Sequence, residues 1–204
     1  MKTEENSIIN IEKNGINFFL SRKKLFHLDE VFLFEKEKNS LSNFKNHSRK
    51  SEFLGIRDLR NRFFPDSEIN YTDEGKPYLS NSHDFISISH STNFLALASA
   101  PYPIGIDIEE CNERIFKIKD RFLSETEKMI INTNDISSLT AAWCIKEALF
   151  KLGKEKGIDF KKDLIIEKFT IDYAEAKMKT NSSWQKVQLH LKKIDDLIIC
   201  FNFE

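Results

Sequence analysis

The sequence predicts an α+β fold in which helices and antiparallel strands come in blocks. Three observations carry this. Phe85-Ile86-Ser87-Ile88-Ser89 alternates apolar and polar residues with the period of a strand, and two further strand-like runs, Phe94 to Ala100 and Ile104 to Glu109, follow after short connections. Residues 48–64 and 138–152 carry apolar residues at helical spacing. Three more strand-like runs, at 164–172, 186–192 and 196–203, close the chain. Helix and strands, then helices and strands, is the order of an α+β protein, not the regular βαβα of a parallel sheet.

Taken in order, residues 7–20 and 30–34 hold short apolar runs that fit either helix or strand. Phe53, Leu54, Ile56, Leu59 and Phe63 sit among charges, as on an amphipathic helix, and Pro65 stops that helix. Asp73-Glu74-Gly75-Lys76-Pro77 reads as a turn. The three strands between Phe85 and Glu109 read as one antiparallel sheet. Ser124-Glu125-Thr126-Glu127 has capping-box spacing, so a helix is expected to begin there. The next helix, about Ser138 to Leu152, places Leu139, Ala142, Ile145, Leu149 and Leu152 on one stripe and ends near Gly153.

Composition narrows the function. The chain has 204 residues, 40% apolar and 31% charged, which is enough for a substantial core. A net charge of −1 argues against a general nucleic-acid or membrane binder. Eleven Lys/Arg stand against six Asp/Glu between Arg22 and Arg62, either as a solvated helix face or as a surface for an anionic ligand or acidic partner. Cys111, Cys144 and Cys200 are odd in number and lack metal-like spacing, which suits free thiols in a reducing cytosol. The first residues hold no apolar leader, and no apolar run reaches the ~18 residues of a membrane span. A cytoplasmic protein is expected.

The most informative short stretch is Gly105-Ile106-Asp107-Ile108-Glu109. On a strand Ile104, Ile106 and Ile108 share one face, while Asp107 and Glu109 share the other with Cα atoms roughly 6.5–7 Å apart. Such a pair is either a solvated acidic face or two oxygen ligands for a hard divalent cation such as magnesium. On the later helix Trp143, Glu147 and Lys151 recur at i, i+4 and i+8, with Lys146 beside them. That set is either a surface ion pair or a third carboxylate and two cations for a metal-bound pyrophosphate. Ser89-His90-Ser91 ends a strand, where loops often carry function. With six glycines and no G-x-G-x-x-G or P-loop pattern, any phosphate would be bound by side chains.

Together these pieces resemble the 4′-phosphopantetheinyl transferases, and the larger, surfactin-synthetase-activating type rather than the short trimeric synthases. The resemblance rests on Gly75-Lys76-Pro77, Ile88-Ser89-His90-Ser91, Gly105 to Glu109 and Trp143 through Lys151, in that order, and covers roughly residues 49–153. It implies two similar α+β halves about a pseudo-twofold, 1–103 and 104–204, with the active site between them and a monomeric chain. It implies transfer of the phosphopantetheine arm of coenzyme A to a serine of an apo acyl or peptidyl carrier protein. Residue by residue, it implies Asp107, Glu109 and Glu147 as Mg²⁺ ligands, Glu147 as the base for the serine, and Lys151 beside the departing phosphate. It further implies Lys146 on the pyrophosphate, His90 on the 3′-phosphate of coenzyme A with Ser89 and Lys76 lining the same cleft, and Arg57 nearby, with Arg49 or Lys50 as substitutes. Two other readings compete: a Mg²⁺-dependent hydrolase of pyrophosphate bonds, which leaves the Ser-His-Ser and Gly-Lys-Pro elements unexplained, and a non-catalytic coenzyme A or carrier binder.

Overall fold

The computed structural model describes residues 9–23, 31–153, 157–181 and 183–203. Residues 7, 8 and 30 of the two early apolar runs lie outside them. Two strands, β1 (Ile9–Lys13) and β2 (Ile16–Arg22), open the chain. Helices α1 (Glu35–Ser42) and α2 (His47–Phe63) follow, then strands β3 (Ile69–Tyr71), β4 (Pro77–Leu79), β5 (Phe85–His90) and β6 (Phe94–Ala100). The second part repeats the plan: β7 (Ile106–Glu110), helices α3 (Arg114–Phe122), α4 (Glu127–Ile130) and α5 (Ile136–Gly153), then β8 (Leu164–Phe169), β9 (Tyr173–Lys179), β10 (Trp184–Ile194) and β11 (Leu197–Phe203).

The two sheets are antiparallel throughout, with strand orders β1-β2-β6-β5-β4-β3 and β7-β11-β10-β9-β8. Apart from the extra edge strand β1, the orders are the same: one strand, the helices, then a four-stranded meander whose last strand pairs with the first. The expected α+β fold of two similar halves is therefore present. The sheets face each other through equivalent strands. Ile16, Phe18 and Leu20 of β2 and Ala96 and Ala98 of β6 pack against Ile106 and Ile108 of β7 and Leu197, Ile199 and Phe201 of β11. Helix α2 covers the outer face of the first sheet, with Ile56 and Leu59 on Phe19, Leu95 and Leu97. Helix α5 covers the outer face of the second, through the predicted stripe Leu139, Ala142, Ile145, Leu149 and Leu152.

Several local expectations hold. The Asn46 side chain accepts from the Ser48 and Arg49 amides to start α2, and the helix ends just before Pro65. Gly75 turns the chain at φ +78°, which a residue with a Cβ rarely adopts. The Ser124–Glu127 capping box forms reciprocally, but the helix it opens, α4, is a single turn. Helices α1 and α3 and strands β3, β4 and β9 lie outside the sequence-based expectations. One expectation is corrected: the strand after Pro103 does not extend the sheet of β5 and β6. It is β7, the edge of the second sheet, paired with β11.

Candidate active site

Strand β7 turns its isoleucines toward the first sheet, so the pleat turns Asp107 and Glu109 toward α5. Gly105 lets the helix come down on the strand. A Cβ built there would lie 2.1 Å from the Ala148 carbonyl oxygen and 2.7 Å from the Leu152 amide. This close approach lays the Trp143–Glu147–Lys151 stripe over the two strand acids. The Trp143 indole N–H donates to Glu109 Oε1 at 3.1 Å. Lys151 Nζ donates to Asp107 Oδ1 at 2.8 Å and to Ser89 Oγ at 2.9 Å.

Burial and neighbouring charge act on the two glutamates. Burial, then the Asp107 charge, push Glu147 up to about 7 against the pull of Lys151. Burial, the Asp107 charge and the Glu147 charge push Glu109 up to about 7, against its Trp143 hydrogen bond and Lys151. Asp107 is buried, and its Oδ2 receives no hydrogen bond from an N–H or O–H. Burial, and then its charge, hold the neighbouring Cys144 thiol well above the ordinary thiol range, so this cysteine is inert packing.

Three crowded carboxylates, one with an orphaned buried oxygen, form an all-oxygen donor set suited to a hard divalent cation. They are not yet a coordination sphere. Among the described residues, no group of three or more His, Cys, Asp or Glu side chains stands in a geometry that would already hold a metal ion. Lys151 supplies the positive charge against Asp107 instead.

Of the three acids, Glu147 borders a cavity of about 550 Å³ at the seam of the two halves. Lys76 and Pro77 of the predicted turn, Ser87 and His90 of β5, and Glu147 and Lys151 of α5 line it, with exposed Tyr71, Tyr78 and Phe85 among the lining residues. Lys76 Nζ donates to the Leu152 carbonyl at 3.1 Å, a cation at the C-terminal end of a helix. A second cavity of about 320 Å³ shares Tyr71, Ile88 and His90 with the first and adds Arg49, Glu52 and Phe53. His90 stands where the two meet. Its Nε2 lies 3.6 Å from Glu52 Oε2, yet burial holds its pKa below the usual value.

Three sequence-based assignments change. Lys146 was expected on a pyrophosphate, but it is fully buried on the opposite side of α5. Its ammonium pairs with Glu127 Oε1 and donates to the Phe160 and Leu164 carbonyls. Adjacent helix residues point about 100° apart, so a neighbour of Glu147 need not share its site. Arg57 is buried and committed to Glu37 Oε1 at 3.3 Å, with its guanidinium over the Phe53 ring. It borders the second cavity only as part of the wall, beside the more exposed Arg49. Ser89 does not line the cleft with His90. It is buried, donates to Asp107 Oδ1 at 2.7 Å, and yields its place on the cavity wall to Ser87. The Trp143–Glu109 contact is an addition to the expected site. Trp143 stands four residues before Glu147, so it was already on the right stripe.

Residues 103–201, just under half the chain, match the family model described as the 4′-phosphopantetheinyl transferase superfamily. That superfamily is the one whose motifs the sequence resembles. A curated relative, the 4′-phosphopantetheinyl transferase gsp of Aneurinibacillus migulanus, is 35% identical over 85 residues. That stretch is 39% of this chain and 35% of the relative's length, so the chain spans about a third of the relative it matches. The superfamily match covers β7, α5 and the strands that follow, and thus Asp107, Glu109, Glu147 and Lys151 together. The remaining elements of the site, Lys76 and His90, lie before the matched residues. Among the described residues no helix is long and apolar enough to cross a membrane.

Proposed function

We propose that this chain transfers the 4′-phosphopantetheine arm of coenzyme A to a serine of an apo acyl or peptidyl carrier protein, releasing adenosine 3′,5′-bisphosphate. The observation that carries the reading is the clustering of Asp107 and Glu109 with Glu147 and Lys151, of which the last two line a cavity bordered by both halves, all within the residues that match this superfamily.

The part up to residue 103 supplies the donor side and residues 104–204 supply the acids. His90 and Arg49, at the second cavity, are placed to receive the 3′-phosphate. Lys76, at the mouth of the first cavity, adds a further cation. Asp107, Glu109 and Glu147 would hold Mg²⁺, which when bound neutralises pyrophosphate oxygens. The serine oxygen forms a bond to the β-phosphorus as the bond from that phosphorus to the bridging oxygen breaks. Glu147, a carboxylate on the cavity wall, is the residue to take the serine proton, directly or through water. Lys151, already paired with Asp107, stands at the cavity wall to stabilise the departing phosphate. Phosphoryl transfer asks for positioning and charge neutralisation more than covalent catalysis, and this is what the side chains provide.

The test is direct. Incubated with coenzyme A, Mg²⁺ and apo carriers from fatty-acid, polyketide and nonribosomal-peptide systems, the protein should raise the mass of at least one carrier by one phosphopantetheine arm. Asp107→Ala and Glu147→Ala should abolish the gain. No gain on any carrier, or full activity in either variant, overturns the reading. Release of nucleotide from coenzyme A without a carrier would favour a hydrolase instead.

A further inference from the structure

The two halves are joined beside the site by side chains rather than by sheet hydrogen bonds. Ser87, Ser89 and Ser91 project from one face of β5 and from the residue just after it. Ser87 Oγ accepts from the Ile106 amide at 3.1 Å, and Ser89 Oγ accepts from the Ile108 amide at 3.2 Å. Ser91 Oγ donates to Glu110 Oε2 at 2.8 Å. The partners advance together, 87 with 106, 89 with 108 and 91 with 110, so the serines form a ladder between β5 and the otherwise unpaired edge of β7.

The last rung differs from the others. Glu110 also accepts from the Asn93 amide at 2.8 Å through Oε2 and from the Asn93 side-chain amide at 2.7 Å through Oε1. One carboxylate thereby clamps both ends of the three-residue Ser91–Asn93 connection between β5 and β6. These hydrogen bonds hold its pKa below the usual carboxylate value despite burial. From the other side the Lys23 amide donates to the Asn93 carbonyl at 2.9 Å, and Lys23 Nζ pairs with Glu52, the neighbour of His90. His90 is the residue directly before this clamped connection, while Asp107 lies three residues before Glu110 on the same strand.

We propose that Glu110 is a positioning residue that fixes His90, and with it the site for the donor's 3′-phosphate, at a set distance from the carboxylates of β7. The proposal rests on the transferase reading for the identity of the donor. It goes beyond it by assigning donor selectivity to a carboxylate that touches neither donor nor metal.

Calorimetric binding of coenzyme A and of 3′-dephospho-coenzyme A separates the two ideas, because it needs no turnover. Charge-assisted hydrogen bonds are strong enough that loss of three should weaken coenzyme A binding in Glu110→Ala by about tenfold or more. Binding of 3′-dephospho-coenzyme A should change by less than about twofold, the preference for the 3′-phosphate collapsing as in His90→Ala. The double variant should show no further loss. Ser91→Ala, which removes one rung from the opposite side and leaves the carboxylate in place, should give an intermediate loss of the same preference. If Glu110→Ala does not fold, Ser91→Ala and Glu110→Gln carry the test. Unchanged preference in the folded variants, or equal weakening of both ligands, overturns the proposal. Binding of neither ligand by the wild-type protein overturns the donor assignment itself, while transfer with the wild-type preference kept in the variants overturns only the role of Glu110.

Discussion

Replacing Glu147 with glutamine should make the protein more stable above neutral pH, in the absence of divalent cations, and should leave it nearly unchanged near pH 4.5. Glu147 moves from an ordinary 4.5 to about 7 in the folded chain. A carboxyl whose pKa is raised by folding binds its proton more tightly in the native state. Its contribution to stability is complete below about 4.5 and is lost as the pH climbs through about 7. Over that range the carboxylate taken singly loses roughly 3 kcal/mol of its contribution to stability. Glutamine has nothing to ionise, and its neutrality also relieves Glu109, which the Glu147 charge pushes up. Urea unfolding at pH 5, 6, 7 and 8 with a chelator present measures the difference between wild type and variant, in which the other titrating groups largely cancel. That difference should grow to about 3 kcal/mol by pH 8, a rise in Tm of roughly 6–12 °C for a chain of this size. Mg²⁺ at pH 8 should restore much of the gap in the wild-type protein by binding its native state. A difference that does not depend on pH, or a wild type that is the more stable at pH 8, would refute the claim that burial and the Asp107 charge raise Glu147.

Two further outcomes follow from packing. Gly105→Ala puts a Cβ 2.1 Å from the Ala148 oxygen where an ordinary contact begins at 3.4 Å, so α5 must move by more than 1 Å; activity in the mass-shift assay should fall by about 100-fold, and stability by about 1–3 kcal/mol. Wild-type rates in Gly105→Ala would show that the helix need not sit this close. Lys146→Met should cost about 3–5 kcal/mol in urea unfolding by stranding buried Glu127, while coenzyme A binding by the folded variant stays unchanged. A selective loss of coenzyme A affinity would return Lys146 to the pyrophosphate.

What could be read from the chain was whatever has a period. The isoleucines at 104, 106 and 108 fixed the side to which Asp107 and Glu109 point, and the spacing of Trp143, Glu147 and Lys151 placed them on one stripe. Neither pattern says that the strand and the helix meet. That contact depends on Gly105 and on packing between residues some forty positions apart. The role of Lys146 was misread because a basic residue beside an acidic one in sequence looks like part of the same surface. Its carbonyl partners Phe160 and Leu164, and its carboxylate Glu127, lie in segments whose approach no local pattern announces. Helix α3 escaped notice although its charges, such as Arg114, Lys117 and Arg121, recur at helical spacing around Ile115 and Phe122. The serine ladder was within reach, because alternation alone puts Ser87, Ser89 and Ser91 on one face. Its partner was not, since β7 was assigned to the wrong sheet.

The repetition of the fold also explains why the acids occur once. Each half contains a buried glutamate with the same attachments. Glu37 accepts from the Phe34 amide three residues earlier, from Arg57 and Arg60 of the long helix α2, and from the Ile69 amide of β3. Glu127 accepts from the Ser124 amide three residues earlier, from Lys146 of the long helix α5, and from the Ile166 amide of β8. These pairs tie each long helix to its sheet, and their charges are consumed by that work. The difference lies on the first strand of each half. On the helix-facing side β7 offers Asp107 and Glu109, whereas β2 offers Phe19 and Ser21, and Phe19 stacks on Phe63 of α2 with ring centroids 3.5 Å apart. An aromatic contact thus closes in the first half the space that carboxylates keep polar in the second. The first half contributes cations instead, Lys76 at the seam and His90 and Arg49 at the second cavity, with the serines of β5 bonded to β7. A donor bound there must lie between the halves, which is why the rungs that hold β5 to β7 bear on its position as directly as the residues that would touch it.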